Sequence, residues 1–201
     1  MIRLLLLALV VGFVLYLVHR WRRDRREDAL LRVRAAFLAP PSDVSLPRRE
    51  PPPLRSVTLA EGRLRFHVPR AWDEEPAAAG MFEARASSGR RLRVELRARR
   101  EGGPGVERLA DDLRGSPAGR QGVVEVLPGE RVLLKHVRTE RAGDAHDVTY
   151  CWELAIPVAP AAALVAAFAF HVPAAAIGAV TEDDVRLLEQ EIRGAALSAP
   201  V

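Results

Sequence analysis

The chain has 201 residues, a formal net charge of +4 and a pI near 10.1, with 49% hydrophobic and 28% charged residues. That balance excludes a disordered polymer and leaves room for one folded domain of ordinary size. A single cysteine, Cys151, excludes an intramolecular disulfide. Lys135 is the only lysine and asparagine is absent, so the arginine excess reads as the compositional bias of a GC-rich bacterial genome before it reads as a nucleic-acid footprint.

Residues 4–18 (LLLLALVVGFVLYLV) carry no charge and lie between Arg3 and His19-Arg20. Crossing the hydrocarbon core takes about 20 apolar residues at 1.5 Å each, so the clean run is slightly short. Snorkelling by Arg3 and Arg20 extends it to residues 1–21, with Tyr16 and Trp21 at the expected interfacial positions. A cleaved signal peptide is the competing reading. No small-x-small cleavage site follows, because the chain continues directly into HRWRRDRR. A retained transmembrane anchor is therefore expected.

Arg20, Arg22, Arg23, Arg25 and Arg26 flank one side of this segment, against Arg3 and the α-amino group on the other. The positive-inside rule then places the C-terminal domain in the cytoplasm of a bacterial inner membrane, with the periplasm as the alternative. The same arginines are candidate contacts for anionic lipid headgroups. Asp24, Glu27 and Asp28 dilute that patch, which favours a purely topological role.

Residues 22–53 read as a basic juxtamembrane helix and a proline-rich linker. Leu30, Val33 and Phe37 share one helical face; Pro40-Pro41 ends the helix, and Pro47 with Pro51-Pro52-Pro53 forms an extended spacer. The folded domain is expected over residues 54–199.

Within it the dominant period is two. Leu64, Phe66 and Val68 alternate with Arg63, Arg65 and His67. Leu92, Val94 and Leu96 alternate with Arg91, Arg93, Glu95 and Arg97. Val148, Tyr150, Trp152, Leu154 and Ile156 alternate with polar or small residues. Each pattern predicts a half-buried antiparallel strand. Weaker strands are expected over residues 57–59, 81–86, 123–127 and 131–140, with turns at Ala60-Glu61-Gly62, Ser88-Gly89, Pro128-Gly129 and Gly143-Asp144. Val106, Leu109 and Leu113 predict one helix; residues 181–196 predict another, with Thr181 as N-cap and Asp184 completing a capping-box-like start. The expected fold is α+β: an antiparallel sheet flanked by helices.

Residues 158–180 carry no charge and are long enough for a second span. Leu164, Ala166, Phe168, Phe170 and Val172 nonetheless keep the two-residue period, and His171 and Pro173 interrupt the stretch. A strand over residues 162–172, pairing back on 149–156, is the expectation.

The order of pieces, with Phe66-His67-Val68-Pro69-Arg70-Ala71-Trp72 at its entry and Phe168-Ala169-Phe170-His171-Val172-Pro173 late in the sheet, resembles the PsbP-like and DcrB-like α/β/α sandwich domains. The resemblance spans roughly residues 56–197. It implies a binding or assembly-assisting domain, related to accessory proteins, chaperones and lipoproteins, with no active site to carry over. Many such relatives are exported, against the orientation that the arginines imply.

No motif of zinc-protease, dithiol, serine-hydrolase or phosphate-loop type occurs, so no catalytic, cofactor-binding or metal-ligating residue is assigned and no cofactor is expected. Gly102-Gly103-Pro104-Gly105 reads as a turn, not an anion cradle. Asp144, His146 and Asp147 read as a solvated hairpin end, not a metal site. Cys151, with His136 or His171, is the one imaginable nucleophile, yet its strand position fits an ordinary half-buried residue. Arg63, Arg65, Arg91, Arg93 and Arg97 form a basic face if their strands are neighbours; no aromatic residue is interleaved for base stacking, so nucleic acid is not an expected partner. Trp72 and Trp152 are expected in the core. The function these features favour is that of a single-pass membrane protein with a non-enzymatic, protein-binding or assembly domain. The alternative is an anchored binder of a small ligand or lipid in a cleft between sheet and helices.

Overall fold

The computed structural model describes residues 52–100, 105–142, 145–159, 162–177 and 179–199, together with positions 16, 31, 32, 34, 35, 37 and 38. Contacts divide the chain into residues 1–36 and 37–201, and the second unit holds the sheets. The expected anchor (Tyr16 apart), the arginines at 20–26, the glycines at 102 and 103 and the turn at 143–144 lie outside the described residues. Among those described, no helix is long and apolar enough to cross a membrane.

The described residues form ten strands: β1 (Leu54–Leu59), β2 (Leu64–Pro69), β3 (Asp73–Glu75), β4 (Met81–Arg85), β5 (Arg91–Arg100), β6 (Val123–Leu127), β7 (Arg131–Ala142), β8 (Ala145–Ala159), β9 (Ala162–Val172) and β10 (Ala196–Leu197). Helix α1 covers Val106–Gly115 and α2 covers Ala179–Gly194. The strands form two antiparallel sheets, β1-β2-β10 and β3-β4-β5-β9-β8-β7-β6. The domain is thus a sheet-rich α+β fold.

The apolar stretch at 158–180 contributes β9, which pairs with β8 in the register Tyr150↔Phe170 and Trp152↔Phe168 and with β5 on its other side. An alternating, alanine-rich strand suits this central position, because both of its neighbours need room. Pro157, which has no N–H to give the ladder, falls where the β8–β9 register shifts. The turn at Ala60-Glu61-Gly62 takes positive φ at all three residues, which closes the β1–β2 hairpin.

Two details depart from expectation. β1 and β2 do not extend the main sheet. They form a second layer across it, since Leu64, Phe66 and Val68 on β2 are buried and the Phe66 ring meets Phe82 and Phe168 edge-on at 5.6 and 5.3 Å. Helix α2 starts at Ala179, so Thr181 lies in its first turn instead of capping it. Asp184 serves Arg90 instead, a largely buried guanidinium that needs a counter-charge.

Strand alternation gives the seven-stranded sheet two different faces. The inner one carries Phe82, Leu92, Val94, Tyr150, Trp152, Leu154, Phe168 and Phe170, all buried. It lies against the small sheet, and its β7 end reaches α2 through Lys135 and Glu189. On the outer face, α1 packs Leu109, Ala110 and Leu113 onto Val132, Leu134, Ala155, Ala163 and Val165.

Candidate functional site

The most unusual chemistry on the inner face is ionic. Lys135 on β7 lies in phase with the buried Leu133 and Val137 and is itself 0% exposed. A lone ammonium there would be prohibitively costly. Two carboxylates meet it: Glu189 of α2 accepts a hydrogen bond from its Nζ at 2.9 Å, and Glu125 of β6 lies 3.2 Å away. Arg193, one turn beyond Glu189, donates to Glu125 at 2.7 Å and to Glu189 at 3.0 Å. Two cations and two carboxylates thus form a neutral quartet.

Burial alone would raise the Glu125 carboxyl above its ordinary range; the hydrogen bond from Arg193 and the nearby charges of Lys135 and Arg193 outweigh it and hold it below. Burial likewise works against the Arg193 charge, and its carboxylate partners reverse the balance. Gly122 lets the backbone pass close to this point, because a Cβ there would overlap the Lys135 carbonyl.

The quartet is one of several clamps on α2. Arg90 pairs with Asp184, and His67 Nδ1 lies 3.0 Å from Glu191. Arg131 donates to the carbonyls of Arg193 and Ala195, which satisfies acceptors at the helix C-terminus. These contacts fix one helix to β2, β6 and β7.

A third kind of group meets Lys135. Phe37, far back in the sequence, is only 4% exposed. Its ring stands edge-to-face with Tyr150 at 5.2 Å and with Trp152 at 5.1 Å, and the Lys135 ammonium lies 5.6 Å from its centroid.

The residues singled out from the sequence are distributed as follows. Cys151 is buried on the outer face, directly across from His136 on β7, while His171 lies across from Thr149. A working thiolate–imidazolium pair needs a lowered thiol and a raised imidazole. Burial does the opposite to both, pushing the Cys151 thiol up and His136 down, so each is favoured neutral. Asp147 accepts the Ala174 N–H at 3.0 Å and lies 3.6 Å from His171 Nε2. Among the described residues no cluster of potential metal ligands forms.

The expected basic face forms in part. Arg91, Arg93 and Arg97 share the outer face of β5, whereas Arg65 belongs to the small sheet and Arg63 to the turn before β2. Those on β5 are matched by acids: Arg97 pairs with Glu153 at 2.6 Å, Arg93 with Glu83 at 3.6 Å and Arg91 with Glu75 at 3.9 Å. This is an ion-paired surface. Trp72 and Trp152 are both core residues, Trp72 stacking on Phe170 at 5.5 Å with an 8° interplanar angle.

The alternation over residues 131–140 is too weak to announce the ionic quartet around Lys135. The usable signal was the only lysine of an arginine-rich chain falling in step with Leu133 and Val137.

The described residues define an α+β domain with antiparallel sheets and two helices. No protein-family profile matches the chain, and no curated protein matches it. Among solved structures, one protein from Bacteroides thetaiotaomicron is similar at 12% identity and a TM-score of 0.43, over 65% of this chain and 45% of that one. The chain thus spans less than half of that protein's length, and a likeness of this grade carries no argument.

Proposed function

We propose that this chain is a single-pass protein of a bacterial inner membrane, anchored through residues 4–18, whose α+β domain binds another protein and performs no chemistry of its own. The observation that carries the reading is the packing between the two sheets. Phe66, Phe82 and Phe168 fill that layer edge-on, and Trp72 lies flat on Phe170. With rings occupying the interior, recognition falls to the outer surfaces. Beyond α1, the outer face of the large sheet presents Thr149, Ala167 and Ala169 beside Arg93, Arg97 and Glu153, half-buried or exposed throughout.

The neutral state favoured by burial for Cys151 and His136 supports a non-enzymatic role. The resemblance to PsbP-like and DcrB-like domains points the same way, toward an accessory or assembly factor. Arg20, Arg22, Arg23, Arg25 and Arg26 support a cytoplasmic domain through the positive-inside rule.

Affinity purification of the full-length chain from its native membrane, in mild detergent, is the direct test. A stoichiometric protein partner is expected, and it should be lost from the Arg93→Glu/Arg97→Glu double variant; recovery of no partner would sink the proposal. A C-terminal reporter that is active only outside the cytoplasm should stay silent, and activity would reverse the orientation.

A further inference from the structure

Phe37 is separated from β1 by residues 39–53, which include six prolines. Fifteen residues reach up to about 50 Å when extended, so chain connectivity does not force this side chain onto the sheet. It is held there by what it meets. Of the helical positions described around it, 31, 32, 34 and 35 are exposed and Leu38 is half-buried, leaving Phe37 as the single fully buried anchor.

The slot that receives it has three walls of different chemistry. Tyr150 and Trp152 offer aromatic surface in edge-to-face geometry, the favoured arrangement for such pairs. Lys135 brings its ammonium to the Phe37 ring, a cation–π contact. That ammonium is already matched by Glu125 and Glu189, so withdrawing Phe37 leaves no unpaired charge behind. The slot can stand open without collapsing its own electrostatics.

We infer that Lys135, Tyr150 and Trp152 form a docking slot for a helical segment bearing one aromatic anchor, and that this chain's own Phe37 fills it in cis. The partner chemistry that the slot fits is that of the occupant: a short basic helix with a phenylalanine near its C-terminal end, as in LRVRAAFL at residues 31–38. A tether of this length supplies an effective concentration of roughly 1 mM, so a competing segment must exceed that threshold to displace Phe37. The inference does not depend on the membrane anchor or on the outer-face partner proposed above.

The test uses the full-length chain in mild detergent and two synthetic peptides covering residues 29–40, one native and one with alanine at position 37. Phe37→Ala should melt below the parent protein. The native peptide should restore its melting temperature saturably, with heat of binding in calorimetry at concentrations up to roughly 1 mM, whereas the alanine peptide should do neither. Parent protein, its slot filled, should bind the native peptide at least tenfold more weakly. Unchanged melting of Phe37→Ala, or failure of the native peptide to restore it, overturns the inference. If Phe37→Ala does not fold, a chain carrying a protease site at residues 42–46 decides the matter. After cutting, the native peptide should bind the cut chain with heat in calorimetry at concentrations up to roughly 1 mM and the alanine peptide should not; no binding of the native peptide to the cut chain overturns the inference.

Discussion

The two faces of the seven-stranded sheet come from alternate residues of the same strands, yet they handle charge in opposite ways. On the inner face, Lys135 is sealed from water and each of its neighbours in the quartet has a partner within 3.2 Å. On the outer face, the side chains of Arg93 and Arg97 remain about half exposed, and they meet Glu83 at 3.6 Å and Glu153 at 2.6 Å. The first arrangement is intolerant, because removing one member leaves the others desolvated and mismatched. The second is forgiving, because water replaces whatever is lost. A strand such as β5 therefore carries, on successive residues such as Arg93 and Val94, positions whose substitution costs differ severalfold.

Substitutions can break this contrast or sharpen it. The largest effect is expected from the apolar part of the inner face: Phe168→Ala, which empties a fully buried ring site between Phe66 and Trp152, should cost about 3–5 kcal/mol in urea unfolding. Lys135→Ala should come close, at about 3–5 kcal/mol, since Glu125 and Glu189 then share Arg193 alone. If it costs under about 1 kcal/mol, the two faces are electrostatically alike and the contrast fails.

Next comes pH. The Glu125 carboxyl is depressed in the fold, so its stabilising contribution is present above the ordinary carboxylate pKa and fades as pH falls through the lower folded value. His136 is depressed by burial, so the unfolded chain takes up its proton first, and stability begins to fall once pH drops below about 6.5. Tyr150 is pushed up to about 12, chiefly by burial; its contribution is intact below the ordinary value near 10 and is lost as pH rises through about 12. Urea midpoints measured across pH should therefore form a plateau that falls on both sides. Glu125→Gln should flatten the acid limb, and Tyr150→Phe the alkaline one. The smallest effect is expected on the outer face, where Arg97→Ala should change stability by no more than about 1 kcal/mol in the same assay.

Legibility in the sequence followed the length and purity of each pattern. β8 and β9 were readable down to their mutual pairing, because the large residues recurring every second position from Leu164 to Val172 favour the register that buries Phe168, Phe170 and Val172. β3 and β10 were not, since two or three residues carry no period; Asp73–Glu75 and Ala196–Leu197 become strands only because β4 and β2 have edges for them. The division into two sheets was also hidden. Leu64, Phe66 and Val68 announce an inward face, but nothing in their alternation says whether the strand pairs within the main sheet or lies across it. The Phe37 slot was not visible: the apolar face shared with Leu30 and Val33 rests on residues outside those described, and the destination of Phe37 on Tyr150 and Trp152 depends on long-range packing.

The pairing of β10 with β2 has a consequence for synthesis. Ala196 and Leu197 lie against Arg65 and Leu64, so the small sheet joins segments more than 130 residues apart, and the Ser198 amide donates to the Arg63 carbonyl beside them. A nascent chain that has completed β1 and β2 must therefore hold that hairpin with one edge unmatched until almost the whole domain has emerged. At about 5–20 residues per second, that wait lasts roughly 6 to 26 seconds. Loop-closure entropy must be met before such a distant pair gives any return, which places closure of the small sheet late in folding. The unmatched edge of β2, with Leu64, Phe66 and Val68 still uncovered, is the surface on which a ribosome-bound chain most needs protection from its neighbours.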